Sequence, residues 1–117
     1  MGTVPQSVAL GFIGRNGAYP ANQVGRHCDL LIAVGARFDD RSSSSWIPGY
    51  SWNMPPTKLV HVDVDPAEIG RNYAPTLGII ADAKVFLAQL AQEATNRKAS
   101  GARFAGWQET IKGWKKE

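Results

Sequence analysis

The stretch DLLIAVGARFDDR, Asp29 to Arg41, joins five consecutive apolar residues to a glycine and then to two arginines that enclose Phe38-Asp39-Asp40. Leu30 to Val34 is too short for a stable helix, and it is apolar at every position rather than at alternate ones. That is how a central parallel strand covered on both faces reads. Gly35 stops it. In an open parallel sheet, ligands bind beyond the carboxyl ends of the strands, so the residues after Val34 are candidates for chemistry. Two readings stay open. Arg37 and Arg41 can clamp a diphosphate in bidentate fashion, or they can be neutralised by Asp39 and Asp40 in a salt-bridged turn.

Upstream, residues 1 to 7 read as an extended lead-in containing Pro5, and Leu10 to Ile13 as a short strand ended by Gly14-Arg15-Asn16-Gly17. Pro20 followed by Ala21 to Arg26 suits a short helix with proline in its first turn, with Gly25 counting against it. Downstream, Ser42 to Thr57 is irregular, with a four-serine run, Pro48-Gly49, Pro55-Pro56 and the aromatics Trp46, Tyr50 and Trp52. A loop of this length binds something, packs on a partner, or folds back on its own core. Lys58 to Asp65 alternates and is β-branched, which predicts a second strand. Asp65 and Pro66 then open one helical turn to Gly70, as N-cap and first position. A third strand, Leu77 to Ala81, leads to Asp82. This residue caps a helix whose Ala83, Leu87, Leu90, Ala91 and Ala94 share one face. Arg97 and Lys98 suit its C-terminal dipole, and Gly101 ends it. A last helix, about 102 to 115, carries Phe104, Trp107, Ile111 and Trp114 on an apolar face that must be buried somewhere. Strands alternating with helices predict an α/β fold with a parallel sheet built from βαβ units.

The composition narrows the function. The 117 residues fit one domain, and 44% apolar with 20% charged residues describe an ordinary globular chain with one modest core. The net charge of +3 owes much to Lys112, Lys115 and Lys116. No basic patch interleaves with aromatics elsewhere, which argues against nucleic acid. One cysteine, Cys28, cannot form an internal disulfide and suggests a reducing compartment. His27 and His61 read as a surface and a strand-end histidine rather than a metal pair. No apolar run approaches the ~18 residues of a membrane helix, and no signal segment opens the chain, so a cytoplasmic protein with no membrane partner is expected.

Acids recur at the other strand ends as Asp63, Asp65 and Asp82. A strand-end acid can accept ribose hydroxyls, although Asp65 and Asp82 are also explained as helix caps. Asp63 interrupts an apolar strand end, and its charge needs a partner. Gly11, Gly14 and Gly17 are spaced G-x-x-G-x-x-G, which is not the dinucleotide fingerprint G-x-G-x-x-G.

Taken in order, CDLLIAVGARFDDR, KLVHVDVDPAEIGRNY and IIADAKVFLAQL resemble the central domain of the acetolactate (acetohydroxyacid) synthase large subunit, among the thiamine-diphosphate-dependent enzymes. The resemblance covers nearly the whole chain, 1 to 117. It implies a Rossmann-like domain of six parallel strands lying between two thiamine-diphosphate-binding domains, and holding FAD that plays no redox part in the main reaction. By position it assigns the flavin nucleotide to Gly14, Arg15, Asn16 and Gly17, to Gly35, Ala36, Arg37 and Arg41, to Asp63 and Val64, and to Asp82 and Ala83. Asp39 and Asp40 then hold the arginines in place. The parent enzyme would decarboxylate pyruvate and join the two-carbon unit to a second 2-oxo acid, as in branched-chain amino acid biosynthesis. Thiamine diphosphate, magnesium and the catalytic glutamate would lie in domains this chain lacks, so no catalytic or metal-binding residue is expected here.

The sequence departs from the family pattern in three ways. Asn16 stands where the synthases usually have His, the loop 42–57 is longer than usual and carries two tryptophans, and the first strands of the domain are missing. The chain is therefore expected to be a fragment with residues 102–117 leading toward a missing domain. Its apolar edge beside Leu30 to Val34 should favour self-association into a homo-oligomer. The competing expectation is a structural or oligomerisation module with a vestigial site.

Overall fold

A computed structural model describes residues 9–99 and 101–116. Three parallel strands form one sheet in the order β1 (Leu30–Val34), β2 (Lys58–Asp63) and β3 (Leu77–Ile80). Leu30 pairs with Lys58 and Val34 with Val62, and on the other side Val60 pairs with Leu77 and Asp63 with Ile80. Neighbours in the sheet are thus neighbours in sequence, and all three strands end on the same side, where the candidate site residues lie. The α/β class and the parallel sheet agree with the sequence reading. Among the described residues three α-helices accompany the sheet: α1 (Tyr19–His27), α2 (Ala83–Asn96) and α3 (Ala105–Lys115).

Not every expected element forms. Leu10 to Ile13 is irregular rather than a strand, and Gly11 holds a φ of 86°. A strand needs a neighbour to receive its backbone bonds, and among the described residues this segment has none. The lead-in expected over residues 1 to 7 lies outside the described residues. Pro66 to Gly70 forms turns without a helix. By contrast, α1 runs straight through Gly25. A Cβ there would sit 2.5 Å from Ile13 Cδ1 and 2.7 Å from the Ser51 carbonyl oxygen. The residue that argued against a helix is therefore what lets this one lie against the loop beside it.

The core is centred on Phe38, which is 3% exposed although it sits in the charged stretch after β1. Trp52, His61 and Tyr73 present ring edges to it at centroid distances of 5.7, 5.2 and 5.2 Å, the arrangement the ring quadrupoles favour. Ala33 and Leu59 complete the buried cluster, with Leu31, Ala36 and Met54 around it. Of the open readings for the loop after residue 41, the one realised here is the loop folded onto its own core. Trp52 packs on Phe38, Trp46 Nε1 donates to the Phe38 carbonyl at 2.7 Å, and Ser44 and Ser51 share a buried hydroxyl bond of 2.6 Å.

The apolar faces of the last two helices fare differently. In α3, Trp114 stacks on His27 of α1 at 5.6 Å and meets Trp107 edge-on at 5.6 Å. In α2, Leu87 and Leu90 remain exposed, as do Leu77 and Ile80 on β3. Strands are about 4.8 Å apart and a helix with its side chains is about 10 Å across, so three strands offer each face room for little more than one helix.

Candidate functional site

The carboxyl end of β1 continues into a turn that the rest of the molecule grips by its carbonyls. Gly35 takes a φ of 69° and donates its N–H to the Val62 carbonyl at 2.9 Å, the last rung of the sheet. Beyond it, Ala36 accepts from His61 Nε2 at 2.9 Å, and since a carbonyl can only accept, that nitrogen carries the proton. His61 is 1% exposed and mid-strand, not the strand-end residue its position suggested. Asn72 Nδ2 donates to both the Arg37 and the Phe38 carbonyls at 3.0 Å. Phe38 itself sits at a φ of 53°, which a residue with a bulky side chain adopts only when its surroundings demand it. Here the burial of its ring makes that demand.

The glycine turn is brought against the same loop. Arg15 N donates to the Arg41 carbonyl at 3.0 Å, and Gly14 exchanges two bonds with the Asn22 side chain of α1, at 2.8 and 2.9 Å. Any Cβ on Gly14 would lie 2.4 Å from the Arg41 carbonyl oxygen, and its φ is 113°. Glycine is thus required for this close approach. Two open cavities result. One of about 350 Å³ is lined by Ile13, Ala36, Arg37, Asp39, Ser42 and Trp52, among others. The other, of about 310 Å³, is lined by Phe12, Ile13, Asn16, Asp39, Arg41 and Ser42. They adjoin at Ile13, Asp39 and Ser42, and in the groove region they make up together, Arg37 lines the first cavity and Arg41 with Asn16 lines the second.

The electrostatics of the turn differ from the salt-bridged reading of the sequence. Among the described residues neither Asp39 nor Asp40 forms an ion pair with Arg37 or Arg41, although both guanidiniums contribute, after the Ser42 bonds, to lowering the Asp39 carboxyl. The Ser42 backbone N–H donates to Asp39 at 2.8 Å and holds this carboxyl below the usual aspartate range, with the Ser42 hydroxyl adding to the effect. Asp40 is lowered first by the Ser45 hydroxyl at 2.7 Å and then by Arg15, whose guanidinium lies 2.8 Å away. An aspartate at the start of a turn satisfies nearby backbone and hydroxyl donors more readily than it reaches an adjacent long side chain. Arg37 instead lies 3.9 Å from Glu68, and Arg71 is 3.2 Å from the same carboxylate. Glu68 is 8% exposed, so its charge needs these partners. Among the described residues the Arg41 guanidinium makes no ion pair.

The remaining candidates sit apart from the groove. Asp63 accepts from Asp65 N at 2.9 Å, Asp65 from Ala67 N at 2.9 Å, and Asp82 caps α2 through Val85 N at 3.1 Å. The Ala81 N–H joins the Asp63 carbonyl at 3.1 Å, so Asp63, Val64, Asp82 and Ala83 form a second group at the ends of β2 and β3. They line neither cavity. Gly17 closes the glycine turn through its bond to the Gly14 carbonyl at 3.0 Å. Three supporting residues were not among the site candidates read from the sequence: Asn22, and Glu68 and Asn72, which lie within the KLVHVDVDPAEIGRNY stretch.

The sheet, its strand-end groove and the glycine turn can now be set beside known proteins. The model of the thiamine pyrophosphate enzyme central domain matches residues 2–90. The chain belongs to this family. Among curated relatives, it is 43% identical over 111 residues to the acetolactate synthase large subunit of Cyanidium caldarium, an alignment covering 92% of the chain and 18% of the relative. It is 38% identical over 109 residues to that of Parasynechococcus marenigrum (strain WH8102), covering 93% and 17%. It is also 41% identical over 83 residues to a probable acetolactate synthase large subunit of Methanocaldococcus jannaschii, covering 71% and 13%. The chain thus spans less than a fifth of the length of these relatives. Among the described residues, no helix is long and apolar enough to cross a membrane, and no three His, Cys, Asp or Glu side chains gather as a metal site.

Proposed function

We propose that this chain is the nucleotide-binding central domain of an acetolactate-synthase-like carboligase, with the groove from Arg37 to Arg41 and Asn16 receiving the diphosphate of FAD. The observation that carries this reading is the exposed pair of guanidiniums at a strand end, neither in an ion pair with Asp39 or Asp40, lining adjoining cavities beside a glycine turn. An arginine pair of this kind suits an elongated anion, because each planar fork can take two phosphate oxygens. The residues present fit the cofactor's phosphate side. Asp63 and Val64, with Asp82 and Ala83, are the candidates for its nucleoside side, on the neighbouring strand ends. When bound, FAD would supply a fixed structural ligand and no redox step in carboligation.

Decarboxylation of pyruvate and carbon–carbon bond formation belong to the parent protein. Its thiamine diphosphate and magnesium are placed beyond this chain, in a protein expected in the cytoplasm. Titration with FAD, read as quenching of flavin fluorescence and as a rise in melting temperature, tests the reading; ADP should also raise the melting temperature. No response at millimolar ligand would favour the second reading, a structural or oligomerisation module. The exposed Leu30, Ile32, Leu77, Ile80 and Leu87 support that alternative. Acetolactate formed by this chain alone from pyruvate, thiamine diphosphate and magnesium would contradict the placement of the catalytic groups elsewhere.

A further inference from the structure

The turn after β1 is held in an unusual way. Three consecutive carbonyls, those of Ala36, Arg37 and Phe38, all accept from side chains, and the donors come from distant parts of the chain. His61 and Trp46 each grip one carbonyl, and His61 is itself part of the aromatic packing around Phe38. Asn72 is different. It is exposed and adds nothing to the core, yet its amide bridges the Arg37 and Phe38 carbonyls at 3.0 Å each, across more than thirty residues. The Arg37 carbonyl held by Asn72 and the Ala36 carbonyl held by His61 belong to the two peptide planes that flank the Arg37 Cα, so together they set the direction in which its Cα–Cβ bond leaves the backbone, and Asn72 supplies the plane on the C-terminal side. The Arg37 side chain is 77% exposed and its contact with Glu68 is 3.9 Å long, so neither packing nor a tight ion pair orients it. The backbone has to do so.

We infer that Asn72 is a positioning residue for phosphate binding: it does not touch the ligand but sets Arg37 at the rim of the groove. This deepens the nucleotide reading and rests on it. A guanidinium fork is sensitive to direction, because losing alignment forfeits the second of its two hydrogen bonds. A purely structural Asn72 would affect binding with or without Arg37, whereas a positioning one acts only through it.

The test is a titration of ADP into the 117-residue chain and into variants carrying Asn72→Ala, Asn72→Gln, Arg37→Ala and the Asn72→Ala/Arg37→Ala pair. With two hydrogen bonds at stake, Asn72→Ala should weaken ADP binding by about ten-fold. Asn72→Gln, which keeps the amide donor, should recover most of the loss. In the Arg37→Ala background, Asn72→Ala should change affinity by less than about two-fold, since the residue it serves is gone. An undiminished cost in that background, or a loss below two-fold in the single variant, would overturn the inference while leaving nucleotide binding intact. If the unsubstituted chain does not bind ADP, the nucleotide reading fails and this inference falls with it.

Discussion

Phe38 is the residue on which the molecule turns, because one side chain links the core to the groove. Its ring fills the space between Trp52, His61 and Tyr73, and its backbone carbonyl is held by both Trp46 and Asn72. Removing a ring of this size from a packed site costs about 3–5 kcal/mol, a large part of the stability of a domain this small. Phe38→Ala should therefore leave the chain largely unfolded or strongly destabilised in a denaturant titration; a loss under about 1 kcal/mol would show that the cluster is not the core. Gly14 tests the groove in the same way. With a φ of 113° and a carbonyl oxygen 2.4 Å from any added Cβ, Gly14→Ala should cost about 1–3 kcal/mol and separate the glycine turn from Arg41. Its melting temperature should fall, and nucleotide affinity should fall with it.

At the scale of elements, the acid-held turn and the capped helix respond to different variables. Asp39 and Asp40 have folded pKa values lowered by Ser42 and by Ser45 with Arg15. Groups lowered on folding contribute stability that is present above their unfolded pKa and is lost as pH falls through the folded value. The turn should thus stay ordered through the ordinary aspartate range and loosen only at more acid pH. Emission from Trp46, bonded to the Phe38 carbonyl, reports on it; a transition at or above the ordinary aspartate range would contradict the assignment. For α2, Asp82→Ala removes the bond to Val85 N and should cost about 1 kcal/mol, seen as a lower melting temperature and reduced helical circular dichroism. That helix and the three strands were legible in the sequence because capping, alternation and continuous apolar runs are local signals. The Leu10–Ile13 strand was misread because apolar residues alone do not supply a pairing partner. That Arg37 and Arg41 follow a strand end could be read from residue type and order, and the glycine turn lies against the same loop through the bond from Arg15 N to the Arg41 carbonyl. Asn22, Asn72 and Glu68 were not singled out, since each acts across a fold-dependent contact that residue type does not reveal, even where, as for Glu68 and Asn72, the residue lies in a recognisable stretch.

For the whole molecule, the decisive property is how much apolar surface is left uncovered. Leu30 and Ile32 on the edge strand β1, Leu77 and Ile80 on the opposite edge strand β3, and Leu87 and Leu90 on α2 are all exposed. Exposed edges and patches of this sort recruit other chains. Concentration-dependent self-association is the expected behaviour, and light scattering that finds a clean monomer at high concentration would refute it.

The pairing of each strand with its sequence neighbour also bears on how the chain reaches this arrangement. Joining β1 to β2 closes the long segment from Val34 to Lys58, while joining β2 to β3 closes the shorter one from Asp63 to Leu77. Closure entropy rises only slowly with length, by about 0.6 kcal/mol per doubling, so it gives the shorter crossover little advantage. Energetic reward decides instead, and it lies with the longer one. Only when β1 meets β2 can Phe38, carried by the turn after β1, pack against His61 of β2. The first two strands and the aromatic cluster should then form the folding nucleus, with β3 and α2 added afterwards. Conservative truncations at Leu59 should slow refolding, whereas those at Ile79 should mainly speed unfolding.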